Sequence, residues 1–201
     1  MAILITIARE FGSGGRELGR RLADELGIAY YDKEILEEIV KETPYSKAYI
    51  EEVSESKPAP LFPIHYGISW ITTTPFSQSV DVISKQNEVM RKLAMTSDCV
   101  IIGRAADYVL RDLHPYRIFV YADMEAKIAR CRSRAVGQTI SDKEIVRNIK
   151  KIEKNRRSFY DFYTNSTWGE KKNYDLMVNT SHRDIKTIAH AIAAAFREEI
   201  Q

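Results

Sequence analysis

Cysteine is scarce in this 201-residue chain: Cys99 and Cys131 are its only two, without a CxxC pair or a nearby histidine. Neither a disulfide framework nor a zinc site is suggested, and both read as buried free thiols. The four histidines, His65, His114, His182 and His190, form no ligand spacing. Apolar runs such as Ile3-Leu4-Ile5 and Val100-Ile101-Ile102 fall far short of the roughly 18 residues of a membrane-spanning helix. No basic region followed by an apolar stretch opens the chain, so a soluble, cytoplasmic protein without a membrane partner is expected. An excess of either sign of charge is nearly absent as well. Thirty Lys+Arg against 28 Asp+Glu leave a formal +2, which argues against a dedicated nucleic-acid binder.

What is present is ordinary for a globular protein: 44% hydrophobic and 29% charged residues, enough to bury a core and too few charges for wholesale disorder. The length fits one domain. The small net charge hides an asymmetry. Residues 127–172 hold 13 basic and 5 acidic residues, a net of +8, while the rest of the chain, with 17 and 23, carries −6. No RNA-binding aromatic motif accompanies this basic stretch, so a small anionic ligand fits it better than nucleic acid.

Apolar, β-rich runs alternate with helical periodicity. Residues 1–8 read as a buried strand broken by the glycines at 12–15, after which Leu18, Leu22, Ala23 and Leu26 recur at helical spacing up to Gly27. Residues 28–31 form a short second strand, followed by Asp32 as the expected helix N-cap and an amphipathic stretch over 33–43. Residues 99–102, 117–122 and 175–179 supply three more strands. In the last helix Ile185, Ile188, Ala189, Ile192, Ala193 and Phe196 trace one face. This alternation predicts an α/β fold, a parallel five-stranded sheet with helices on both faces, whose ligands bind at the carboxyl ends of the strands. Residues 54–79 contain Pro58, Pro60, Pro63 and Pro75 without a sustained period and read as an irregular loop in an inserted lobe. The basic stretch contains its own helix, with Ile145, Ile149 and Ile152 on one side.

The most informative segment runs from Ile5 to Leu18, ITIAREFGSGGREL. Glycines between a buried strand and a helix let backbone N–H groups converge where the helix N-terminus adds partial positive charge, a seat for phosphate. Gly12-Ser13-Gly14 begins like a dinucleotide fingerprint, and Asp32 stands near where a ribose-binding acid would fall, but Glu17 occupies the third glycine position. Nor is GxxxxGK[ST] satisfied: aligned on Gly14, the lysine position is Gly15 and the first glycine position is Arg9. Neither pattern decides between a phosphate donor and a dinucleotide.

The run from Ile5 to Leu18, the segment VIIGRAADY at 100–108, and the stretch from RRSFYDFYT at 156–164 through Trp168-Gly169 to Tyr174-Asp175-Leu176 together resemble the cytidylate kinase-like family, a branch of the P-loop nucleoside monophosphate kinases. The resemblance implies one P-loop kinase-like domain over 1–201, with a monophosphate-binding lobe at 32–98 and a lid at 127–172. It also implies ATP and Mg²⁺ as cofactors and a small phosphorylated acceptor, a pyrimidine nucleoside monophosphate first among the candidates. Gly12, Ser13, Gly14, Gly15, Arg16 and Glu17 would surround the donor phosphates. Asp32, Gly103, Arg104 and Asp107 would meet the acceptor, with Ser13, Asp32 and Asp107 as candidates for the metal. Arg130 and Arg134, which share a helix face, and Arg156 and Arg157 on the next helix would join Arg16 in neutralising the transferred group. Phe159, Tyr160, Phe162 and Tyr163 read as packing for that lid. A second expectation is a nucleotide-binding module without catalysis, because the loop lacks its lysine and the hydroxyl after it.

Overall fold

The computed structural model describes residues 3–54, 74–135 and 140–200; the greater part of the Pro-rich segment, with Pro58, Pro60 and Pro63, lies outside the described residues. Five strands, β1 (Leu4–Arg9), β2 (Ala29–Tyr31), β3 (Cys99–Ile102), β4 (Tyr116–Tyr121) and β5 (Leu176–Asn179), pair in the order β2-β3-β1-β4-β5. Every pairing is parallel, as in the register Ile5↔Val100 and Ile5↔Tyr116.

Side chains of a strand alternate between its two faces, and two separate clusters follow. Ile5, Ile7, Val100, Ile102, Ile118 and Val120 pack with Leu18, Leu22 and Ala23 of α1 (Gly15–Leu26) and Ala189 and Ala193 of α8 (Ile185–Ile200). On the other face Leu4, Ala8, Cys99, Ile101 and Phe119 meet Ile35 and Ile39 of α2 (Glu34–Glu42), Ile50 of α3 (Lys47–Ser54) and Val82 and Met90 of α4 (Thr74–Thr96). The short α5 (Ala106–Val109) follows β3, and α6 (Met124–Arg134) and α7 (Asp142–Thr164) make up most of the basic stretch. Ser141 caps α7 through a reciprocal pair of hydrogen bonds with Glu144.

Two expectations change. The irregular loop at 54–79 does not begin or end as expected: Ser54 closes α3, and a 23-residue helix starts at Thr74 and carries Pro75 in its first turn, where a missing N–H costs nothing. Asp32 does not cap α2. Its carboxylate turns back to Arg16 instead, Arg16 Nε lying 2.8 Å from Asp32 Oδ2. The basic stretch is also less of a solvated surface than its charge suggests. Lys127 of α6 is buried and pairs with Glu10 (2.6 Å) and with Glu153 of α7 (2.8 Å). Burial opposes its charge, but the two carboxylates outweigh that and hold its pKa above the ordinary lysine value.

Candidate functional site

At the carboxyl end of β1 the chain leaves the sheet at Arg9 and enters α1 at Gly15 through a loop in which Gly12 and Gly14 have positive φ, +77° and +83°. Gly14 must be glycine twice over. A side chain there would be strained in the left-handed region, and its Cβ would lie 2.4 Å from Ile185 Cδ1. The loop is anchored by its carbonyls. Thr180 Oγ1, just past β5, donates to Ser13 O (2.6 Å), and Arg130 of α6 donates to Gly12 O (3.4 Å) and to Thr180 O. Ser13 is fully buried and its hydroxyl donates to Glu10 O (2.9 Å). Helix geometry leaves the first N–H groups of α1 without intrahelical acceptors, so the loop presents donors and a helix N-terminus in one place.

The second element is the end of β3, where Gly103, Arg104 and Ala105 all adopt positive φ, +71°, +57° and +52°. Left-handed backbone costs a non-glycine residue roughly 1–2 kcal/mol, so two such residues in succession mark a bend that surrounding structure enforces. The bend turns Arg104 into the protein, where it is 7% exposed and donates through Nη1 to Oε1 of the fully buried Gln86 of α4 (3.1 Å). Asp107 follows on α5, buried and accepting from Tyr160 of α7 at 2.6 Å. Burial raises the pKa of Asp107, the Tyr160 hydrogen bond only partly offsetting it, and burial likewise drives the Tyr160 hydroxyl well up.

Between these elements lies a pocket of about 30 Å³ lined by Arg9, Gly103, Arg104, Asp107 and Arg156, with Tyr160 and Trp168 closing its side. Arg156 of α7 donates to Arg9 O (3.2 Å), tying α7 to the end of β1. Three guanidinium-bearing side chains from β1, the β3 bend and α7 therefore converge on one small space beside the glycine loop. A larger cavity of about 150 Å³ adjoins it through Arg104 and Phe159. There the Gln86 Nε2 and Tyr163 Oη atoms are buried with no hydrogen-bond partner among the described residues.

The residues singled out in the sequence divide accordingly. Gly103, Arg104, Asp107 and Arg156 line the small pocket. Gly12, Ser13, Gly14 and Gly15 form the loop and the start of the helix, and Arg130 holds the loop's backbone. Arg16 is exposed and committed to Asp32, and Glu17 pairs with Arg21 at 3.0 Å. Arg134 is exposed on α6. Arg157 is also exposed, with its guanidinium 5.7 Å from the Trp168 ring, facing a different, open cavity. The three metal candidates are each engaged elsewhere: Ser13 with Glu10, Asp32 with Arg16, Asp107 with Tyr160. No group of three His, Cys, Asp or Glu side chains that would hold a metal ion occurs among the described residues. Sequence reasoning missed Arg9 and Gln86. Arg9 carries a readable signal, a basic residue at the carboxyl end of a buried strand; Gln86 carries none, being one polar residue of a long helix.

A family model described as the cytidylate kinase-like family matches residues 4–182. Among solved structures, an uncharacterized protein from Eubacterium ventriosum is 26% identical with a TM-score of 0.71, covering 97% of this chain and 98% of that one. Shikimate kinases from Bacteroides thetaiotaomicron (14% identity, TM-score 0.56, 98% and 99% covered) and Acinetobacter baumannii (15%, 0.50, 98% and 94%), the latter solved with shikimate, share the fold. No curated protein matches the sequence. None of the helices among the described residues is long and apolar enough to cross a membrane.

Proposed function

The chain belongs to the cytidylate kinase-like family, and from that premise we propose that it transfers the γ-phosphoryl group of ATP to a small monophosphate, with a pyrimidine nucleoside monophosphate as the favoured acceptor. The observation that carries this reading is the convergence of Arg104 and Arg156 with Arg9 on a pocket next to a glycine loop and a helix N-terminus. Guanidinium forks match phosphate oxygens bidentately and keep their charge when buried.

In this reading the N–H groups at Gly14, Gly15 and Arg16 face the donor phosphates, with the Arg16 side chain at the rim. Arg104 and Arg156 hold the phosphate groups that react, and Arg130, Arg134 and Arg157 stand on the helices behind them. The nucleophile is an oxygen of the acceptor phosphate. Its bond to the γ-phosphorus forms as the bond to the β-phosphate bridge oxygen breaks, leaving ADP and a diphosphate. An acceptor oxygen that is already anionic needs no general base, which suits a pocket whose one carboxyl group, Asp107, is already engaged by the Tyr160 hydroxyl. The 150 Å³ cavity beyond Arg104 suits the acceptor's uncharged ring, with the Gln86 amide and Tyr163 hydroxyl as partners for its carbonyl and amino groups. Mg²⁺ is the usual companion of ATP, but Ser13, Asp32 and Asp107 do not assemble a donor set for it, so no step here depends on a protein-held metal.

A second reading, a nucleotide-binding module without turnover, is favoured by Gly15 standing at the loop's lysine position. Coupled detection of ADP formation over CMP, dCMP, UMP and AMP separates the two. The kinase reading expects turnover stimulated by a pyrimidine monophosphate and reduced on the order of 10²-fold or more in Arg104→Ala. Thermal stabilisation by ATP with no acceptor-dependent ADP would select the module.

A further inference from the structure

A lysine after the second glycine of a GxxxxGK[ST] loop brings a cation to the β- and γ-phosphates, and this chain has Gly15 there. The side chain of Arg9 explains that glycine. Arg9 is the last residue of β1, 6% exposed, and its stem crosses directly over Gly15: a Cβ built on Gly15 would stand 2.5 Å from Arg9 Cβ and 3.0 Å from Arg9 Cγ. Gly15 has no positive φ, so its backbone does not require glycine; the space does. At its far end the Arg9 guanidinium lies over Gly103, where a Cβ would be 1.7 Å from Nη1 and 2.7 Å from Cζ. Two glycines from different elements thus form the two ends of one seat for one side chain. The seated guanidinium lines the pocket shared with Arg104 and Arg156, and Arg156 fixes the strand end beneath it by donating to Arg9 O.

We infer that Arg9 supplies, from the end of the strand, the phosphate-binding cation that the loop lysine would supply from the helix, and that Gly15 is glycine because the two arrangements exclude one another. The inference rests on the phosphotransfer reading, since it assigns a ligand to the loop. It also makes sense of the loop's first position: the glycine expected there in GxxxxGK[ST] is replaced by the residue that takes over the lysine's work. A planar fork at this place reaches two phosphate oxygens at once, where an ammonium would act as a point charge.

The test is a cycle of variants read by calorimetric titration with ATP, with thermal melting of each unliganded variant as the check on folding. Arg9→Met keeps the apolar stem over Gly15 and removes the guanidinium group; it should weaken ATP binding roughly 10- to 100-fold in a variant that still melts cooperatively. Gly15→Lys alone should bind ATP as poorly, because the new side chain collides with the Arg9 stem. Arg9→Gly combined with Gly15→Lys vacates the seat and restores the lysine, and should recover at least tenfold over Gly15→Lys. ATP affinity in Arg9→Met within threefold of wild type, or a double variant no better than Gly15→Lys, overturns the assignment while leaving the kinase reading standing. Wild-type protein that fails to bind ATP at all would overturn both.

Discussion

Replacing Lys127 by methionine removes the charge that joins the glycine loop to α6 and α7 while keeping most of the side chain's volume. The Lys127 side chain is 5% exposed and its ammonium group sits between Glu10 and Glu153, whose side chains are 25% and 20% exposed. Removing one partner of a fully buried ion pair costs roughly 3–5 kcal/mol. With both carboxylates retaining some contact with water, about 2–3 kcal/mol is the reasonable share here. For a chain of this length each kcal/mol lowers the melting temperature by roughly 2–4 °C, so a loss of about 5–10 °C is expected at pH 7 by differential scanning calorimetry. Because its pKa is raised in the folded state, the stabilisation from Lys127 is fully present below the ordinary lysine value of 10.5 and disappears only as pH climbs through the raised one. The deficit of the variant should therefore stay level from pH 7 to about 10. In a background carrying Glu10→Gln and Glu153→Gln, the same replacement should cost less than half as much, since no carboxylate is left unpaired. A drop under about 2 °C in the wild-type background, or an equal drop in both backgrounds, would refute the ion triad.

Asp107→Asn should alter the pH dependence of stability with a definite sign. Burial raises the folded-state pKa of Asp107 above its ordinary 3.8, so its favourable contribution is complete below that value and is lost as pH rises through the folded one. Melting curves from pH 3 to 8 should show wild type losing ground to Asp107→Asn as pH rises, and parallel curves would contradict the burial argument. Gly14→Ala should lower stability by about 2–3 kcal/mol, combining left-handed strain with the collision against Ile185. Ile185→Val removes the colliding Cδ1, so the double variant should recover the steric part but not the backbone part; a double variant that recovers nothing would place the collision elsewhere.

Much of the frame is legible in the chain because burial on both faces leaves strands uniformly apolar. Val100-Ile101-Ile102 announces β3 without any alternation, and the break at the glycines announces the turn into α1. The helical face of Ile185, Ala189 and Ala193 could be read for the same reason, since the packing that orders it is periodic. The site is harder. Asp32 has the residue type of a helix cap, and only the tertiary fold brings Arg16, sixteen residues earlier, to claim its carboxylate. Lys127 counts toward a positive surface until Glu10 and Glu153 arrive from distant elements to bury it. The proline content of residues 54–79 concealed the start of α4, because Pro75 sits in a first turn that tolerates it. Gly15 reads as a defect in a phosphate loop, and its purpose is visible only once the Arg9 stem is seen lying across it.

Phosphate groups are predicted to bind where Arg9, Arg104 and Arg156 meet the glycine loop. Crystals grown with tungstate, a heavy-atom analogue of phosphate, test it most directly through anomalous density. Peaks within hydrogen-bonding distance of those guanidinium groups and of the Gly14–Gly15 N–H groups are predicted. Density confined to the exposed basic faces of α6 and α7, around Arg132 or Arg147, with none in the pocket, would contradict it.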